Sequence, residues 1–488
     1  MNNKPKSLKV NAILNTIRSS LSIIAPLITH PYVLRVLGVI NIGKVSYVSS
    51  VTSYFSLIAM LGISTYAVRE GAKVKSDRQA INKFSSEVFT INVIFTLVAY
   101  ALLAISVLTV DNFGKYKLLF LIQSATIPLG TISLEWVNTV YEDYLYITLR
   151  TIASYCISII STFLFIKTQS DYYVYAIIPV ATSAIICITN WFYCKKYVDI
   201  RLTKNPNWEK HFKRLLILFA NAVTITIYVN FDNVMLGWMK GDYYTGLYAL
   251  PTRIYSILKN LMISVYSVAI PRLALMYGEK RYSDLKNLYS RVWTNVIVIL
   301  FPACIGLMCV SNEVVLLFGG EAYIESAPTL RILSLALIFA IFGGLITSCL
   351  NITIGREKDN LLSTVLSAAI NCILNLFIIP LLYHNGTALT TLFAELFVFL
   401  FCFIRLPEKE KYLDFKSIFK TMWHVAIGSA CIVVVSLLTH SIQANSIAVL
   451  LITMATAAVA YGAVMLVLKD EPTLDVLMAL KSKIEKAE

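Results

Sequence analysis

The chain has 488 residues, of which 57% are hydrophobic and 14% charged, with a mean hydropathy of +0.71. Soluble domains carry about 25% charged residues, so a soluble globular protein is excluded and an integral membrane protein remains. The net charge of +14 and pI near 9.2 read, in so apolar a chain, as a topology signal with some affinity for anionic lipid headgroups; no nucleic-acid partner is expected.

Apolar runs of about 20 residues without strand alternation predict an all-α fold rather than a barrel. About fourteen spans are expected, near residues 11–29, 45–68, 84–109, 116–140, 147–167, 172–194, 213–238, 246–270, 290–311, 326–350, 361–381, 386–404, 419–439 and 446–468. MNNKPKSLKV leads straight into the first, which is expected to act as the insertion signal and to be retained.

That first span, NAILNTIRSSLSIIAPLIT, carries Arg18 near its middle. A cation at the centre of a bilayer costs roughly 2.5–3.5 kcal/mol on insertion scales and is a functional-site hypothesis by default. Asn11, Asn15, Arg18 and Ser22 recur at i, i+4, i+7 and i+11, on one helix face. Lipid cannot satisfy such a stripe, so it faces protein or water. The second span has a stripe of its own: Ser46, Ser49, Ser53 and Ser56. Between the two, Gly38 to Lys44 mimics a phosphate loop, but Val45 replaces the required Ser or Thr and no strand precedes it. No nucleotide site, cofactor or metal is expected.

Cys194 to Arg214, CKKYVDIRLTKNPNWEKHFKR, is the longest polar connection. It divides the chain into a first lobe (1–194, helices 1–6), a basic cytoplasmic linker (195–214), a second lobe (215–404, helices 7–12), and 405–488 with two further helices and a cytoplasmic tail. A constant offset of 203 relates Gly43 to Gly246, Arg69 to Arg272, Arg78 to Arg281 and Lys83 to Lys286, which suggests an internal repeat of like topology.

The polar stripes repeat as well. The seventh span has Asn221, Thr224, Tyr228 and Asp232; the eighth has Arg253, Ser256, Asn260, Ser264 and Ser267 on one face, with Lys259 alongside. Striped helices at matching places in both lobes predict a central cationic cavity, against the plainer reading of polar interhelical packing. Asp232 and Arg253 lie at similar depth, so Arg253 either pairs with Asp232 or faces the cavity. Arg18 and Lys259 have no evident acidic partner at their depth. Glu395, midway along the twelfth span, is the one candidate, but it is expected at the other end of the second lobe. Its lone carboxylate either binds a coupling ion or is a satisfied structural group. Ser363, Ser367, Asn371 and Asn375 on the eleventh span lie nearby in sequence, while Glu87 and Glu135, near helix ends, are expected to be solvated.

Of the 42 Lys and Arg, those within a few residues of a span end being counted with the loops, six (Arg35, Lys44, Lys115, Lys117, Lys167, Lys240) fall in one set of loops and four (Arg18, Arg253, Lys259, Arg331) well inside spans, leaving 32 in the other set. The positive-inside rule then places both termini in the cytoplasm. The nine cysteines lie in or at the ends of helices with no metal spacing and read as small buried hydrophobes. The five histidines form no ligand cluster. The sequons at Asn351 and Asn385 matter only in a secretory pathway.

The stretch HPYVLRVLGVINIGKVSYVSSVTSYFSLIAMLGISTYAVRE, His30 to Glu70, resembles the N-terminal signature of Wzx-type polysaccharide repeat-unit flippases. YVNFDNVMLGWM, TGLYALPTRI and IPRL resemble that family's second-lobe motifs, and the likeness runs to about residue 440. The lipid II flippases and the multidrug and toxin extruders (MATE) are related branches. The resemblance implies a two-lobed, V-shaped exporter in the bacterial cytoplasmic membrane, working by alternating access. Its substrate would be an undecaprenyl-pyrophosphate-linked oligosaccharide for O-antigen, capsule or exopolysaccharide, with membrane lipid and the pathway's polymerase and chain-length proteins as partners. In the lipid II branch, cavity arginines on the first and eighth helices engage the diphosphate; Arg18 and Arg253 match those places by helix and depth. The family's further basic cavity residues have no clear counterpart here.

A diphosphate suits guanidinium groups with paired donors, while Asn15, Asn260 and the serines suit sugar hydroxyls. A membrane potential or an H⁺ or Na⁺ gradient would supply direction. The competing readings are a MATE-type drug antiporter, whose cavity should be acidic and aromatic, and a membrane glycan polymerase or ligase. The latter should carry a large outer loop, whereas the longest outer connection here is Ser311 to Ser326.

Overall fold

Inside a bilayer every backbone N–H and C=O must be bonded within its own segment or a closed barrel. Long apolar runs without alternation meet that condition only as helices. The computed structural model describes residues 8–441, 445–470 and 472–474, and the side chains of 8–20, 22, 23 and 221 lie outside that description; among the described residues there is no strand.

The chain divides into two compact units, Met1–Gly246 and Leu247–Glu488. The first holds α1 (Leu8–Met60), α2 (Ile63–Val74), α3 (Arg78–Thr109), α4 (Lys117–Ser124), α5 (Thr126–Ile132), α6 (Glu135–Val140), α7 (Tyr144–Phe165), α8 (Tyr172–Cys194) and α9 (Trp208–Lys240). By compactness α9 groups with this unit. The start of α10 (Asp242–Ser267) belongs to it too, and the rest of α10 opens the second unit. There follow α11 (Ile270–Gly278), α12 (Tyr282–Cys309), α13 (Ser311–Gly319), α14 (Ala327–Gly344), α15 (Glu357–Arg405), α16 (Phe415–His440) and α17 (Ser446–Val467).

Twelve segments among the described residues are long and apolar enough to cross a membrane, against the expected fourteen. The difference lies in two unusually long segments, Ile24–Val74 and Glu357–Arg405. Each contains a residue outside helical geometry, Gly38 (φ 74°) in α1 and Tyr383 (φ 52°) in α15. Each is two helices meeting at that residue, so each holds two of the expected spans in one continuous segment.

Local sequence sets several ends. The Asp77 carboxylate accepts from the backbone N–H groups of Gln79 and Ala80 to start α3, and Asp414 does the same for α16. In the first unit, α1 packs against α3, α7 and α9. The core there includes Tyr66, Phe84, Trp136 and Val137 at one end and Tyr47, Leu119 and Phe120 in another cluster. The second unit centres on α12, α14, α15 and α16 around Tyr289, Trp293, Phe342 and Leu345.

One close approach links the sequence repeat to packing. A Cβ on Gly43 would sit 1.8 Å from the Asp242 carbonyl oxygen, and one on Gly246 would sit 2.0 Å from that of Val39. The two repeat-matched glycines therefore let the backbones of α1 and the first turn of α10 touch, which any side chain would prevent.

Candidate functional site

The exposed face of α10 is the first feature of the site. Arg253, Ser256, Asn260 and Ser264 are all exposed and share that face. Elsewhere the exposed side chains of these helices are largely Leu, Ile, Val and Phe, as lipid contact requires. The Ser256 hydroxyl bonds the Thr252 carbonyl of its own helix and that of Ser264 bonds Leu261, which leaves neither dependent on a neighbour. Arg253 makes no hydrogen bond or ion pair with any described residue. Pro251 stands two residues before it within the helix, a place where backbone bonding is locally relaxed.

Lys259 differs from the expectation. Its Nζ lies 2.7 Å from Glu395 Oε1, so the two residues form an ion pair within the second unit. The Tyr255 hydroxyl also donates to Glu395 Oε1, at 2.7 Å, and Lys259 Nζ reaches that hydroxyl at 3.3 Å. The expectation that Lys259 has no acidic partner, with Glu395 at the other end of the lobe, is therefore corrected. Helix α15 brings Glu395 against α10, at the level of Lys259. The Glu395 side chain is 6% exposed and that of Lys259 27%; the carboxylate is buried and the ammonium reaches the edge of the open face.

Asp232, on α9, is buried. Arg18 and Asn15 lie on the first arm of α1, and their side chains fall outside the described residues, as do those of Asn11, Ser22 and Asn221. Arg331 is anchored near a helix end, donating to the Ser311 hydroxyl and the Asn312 side-chain oxygen. Ser367, Asn371 and Asn375 join the two arms of α15: the Asn375 side-chain amide donates to Asn371, Thr390 donates to Asn375, and Ser367 donates to the Ala394 carbonyl.

In the first unit, a cavity of about 360 Å³ is lined by Ser49, Thr52, Ser53, Ser56, Gln123, Thr126 and Tyr175. It takes in three of the four serines of the second-span stripe and contains no charged side chain, so its polar groups are hydroxyls and one amide, set among Val45, Ala176, Pro179 and Val180.

Sequence reasoning missed two polar centres. Glu87 was expected to be solvated, yet it is buried with its Oε2 2.9 Å from His211 Nε2, while the Tyr66 hydroxyl lies 2.7 Å from His211 Nδ1. With Glu87 accepting from one ring nitrogen, the other accepts from Tyr66. The second centre is Asp143, which accepts from the hydroxyls of Tyr193 and Tyr197 at 2.6 and 2.7 Å. Burial, reinforced by that bond, pushes the Tyr197 phenol well above its ordinary range. The tyrosines recur at i and i+4 beside Asp143 in the fold but 50 residues from it in sequence, so no local pattern announced them.

The polysaccharide biosynthesis protein family profile matches residues 8–277, and the lipid II flippase MurJ profile matches residues 243–458. A Shigella dysenteriae protein named "Putative O-antigen transporter" is 22% identical over 403 residues, covering 81% of this chain and 98% of that one. A protein of the same name from Escherichia coli is 20% identical over 336 residues, 67% of this chain and 76% of that one. Among solved structures, a lipid II flippase MurJ in an inward closed conformation superposes with a TM-score of 0.76 at 16% identity, over 96% of this chain and 99% of that one. An inward-facing MATE transporter gives 0.55 at 15% identity, over 78% and 98%.

Proposed function

Because the chain belongs to the polysaccharide biosynthesis protein family and has a multi-pass, MurJ-like fold, we propose that it is a flippase for undecaprenyl-pyrophosphate-linked oligosaccharides. It would carry them across a bacterial cytoplasmic membrane, from the side of the basic loops, for surface polysaccharide assembly. The observation that carries this reading is the polar exposed face of α10, with Arg253 unpaired among the described residues. A guanidinium left open within a spanning segment requires water or an anion, and a lipid diphosphate supplies two negative charges to it and to Arg18.

The residues divide the work. Arg253 and Arg18 hold the diphosphate through paired N–H donors. Asn15, Asn260 and the serines meet sugar hydroxyls, and Asp232 orders the polar surroundings of its own helix. The polyprenyl tail stays in lipid while the headgroup crosses. Glu395 is the coupling group. While ionised it holds Lys259 at 2.7 Å, and a proton or cation taken up by Glu395 frees the ammonium to join the diphosphate. Substrate binding and ion binding are then linked through one side chain.

The test is polymer display in a host lacking its own flippase. Arg253→Ala and Arg18→Ala abolish surface polymer while the protein remains inserted. Normal display by both variants would overturn the cationic-cavity reading. Drug resistance on expression, without polymer, would favour a MATE-type antiporter.

A further inference from the structure

In the first unit, a pocket of about 230 Å³ lies between α2, α3 and the start of α9. Each helix gives it one lysine: Lys73 from α2, Lys83 from α3 and Lys210 from α9. We propose that this pocket binds a phosphate-bearing anion, in the membrane the headgroup of an anionic phospholipid, and that occupancy clamps the start of α9 to α2 and α3.

Two carboxylates also line the pocket, and both are already engaged. Glu70 is ringed by Lys73 at 2.9 Å, Arg69 at 3.1 Å and Arg214 at 3.3 Å. Glu87 is turned to His211, with its side chain 5% exposed. Lys83 and Lys210 are exposed and form no ion pair with a described residue. Three cations on Glu70 and two more without partners leave the pocket positive. An ammonium is a strongly hydrated point charge with three donors, suited to phosphate oxygens.

Depth and rigidity agree with a headgroup. The pocket is built from helix ends: α2 stops at Val74, α3 starts at Arg78 and α9 at Trp208. Basic pockets among helix ends on the side of the positive loops are where anionic headgroups bind. Beneath the lysines, Tyr66, His211 and Glu87 form a buried hydrogen-bonded chain, again with one residue from each of the three helices. The floor is therefore fixed, and a bridging phosphate would tie together the same three elements from above. This inference does not depend on what the protein transports.

The full-length protein, delipidated in detergent, would be titrated with dioctanoyl phosphatidylglycerol and dioctanoyl phosphatidylcholine, with bound lipid counted by native mass spectrometry. The wild type takes one phosphatidylglycerol at least tenfold more tightly than phosphatidylcholine. The double variant Lys83→Ala/Lys210→Ala loses that preference, and the control Lys195→Ala/Lys204→Ala, exposed lysines outside the pocket, keeps it. Equilibrium dialysis with radiolabelled inorganic phosphate separates the sources: binding tighter than the lipid, with the same lysine dependence, names free phosphate as the ligand of the same site. Equal affinity for the two lipids with no lysine-dependent phosphate binding overturns the proposal. So does retention of the preference by the pocket variant, or its loss to the same degree in the control. Unchanged thermal unfolding of both double variants shows that the comparison is between folded proteins.

Discussion

Lys259 and Glu395 are 136 residues apart and meet at 2.7 Å within a spanning segment. Removing one partner leaves the other charge without compensation, which costs 3–5 kcal/mol in a fully buried pair; the partly exposed ammonium here lowers the expectation to about 1–3 kcal/mol. Lys259→Met and Glu395→Gln should each lower the unfolding midpoint in detergent, and the double variant should lose less than the two single losses combined. Strict additivity in that cycle would mean that the pair has no coupling energy. The residue scale is also where the sequence was least legible. Arg18 and Arg253 stood out because a cation in an apolar run is conspicuous by itself. Glu395 was the one candidate partner for Lys259, but its place was misjudged, because nothing in either helix says that α15 meets α10. Arg150 was counted among loop cations, yet its side chain is 9% exposed and two of its nitrogens are buried without a hydrogen-bond partner. His211 read as one of five scattered histidines, since its partners Tyr66 and Glu87 lie more than 120 residues away.

At the scale of elements, hydropathy located the spans well because each must be about 20 apolar residues long. It also split the two longest segments near Gly38 and Tyr383, where each helix leaves helical geometry at one residue. Two of the offset-related residues have a packing reason to be glycine: a side chain at Gly43 or Gly246 would meet backbone oxygen at 1.8 or 2.0 Å. Backbone cannot rotate aside as a side chain can, so α1 and the start of α10 would have to separate. Gly43→Ala and Gly246→Ala should each destabilise the protein by about 1–3 kcal/mol, the usual cost of overpacking. Gly306→Ala, in α12 with nothing within 4 Å of the new methyl, should be neutral or stabilise by about 0.4–1 kcal/mol. Thermal unfolding of the three variants measures the contrast. Equal midpoints for Gly43→Ala and Gly306→Ala would show that the close approach does not limit stability.

For the whole molecule, charge asymmetry across the loops gives an orientation that holds whether the chain crosses twelve or fourteen times. Lys115 belongs to the sparse set of loop cations and Lys204 to the crowded set. Three candidate spans separate them, Lys117–Val140, Tyr144–Phe165 and Gln169–Cys194, and an odd number of crossings puts the two lysines on opposite sides. The positive-inside rule assigns Lys204 to the cytoplasm. A membrane-impermeant maleimide should therefore label Lys115→Cys in intact cells and Lys204→Cys only after permeabilisation, with the parent chain and its nine cysteines as the background. Labelling of Lys204→Cys in intact cells would reverse the orientation. The basic helix ends around Lys83 and Lys210 would then face away from the cytoplasmic leaflet, and a lipid-linked sugar made in the cytoplasm would meet the sparse side first. Export from the basic side would fail with it, so this labelling experiment bears on the transport direction as directly as on the topology.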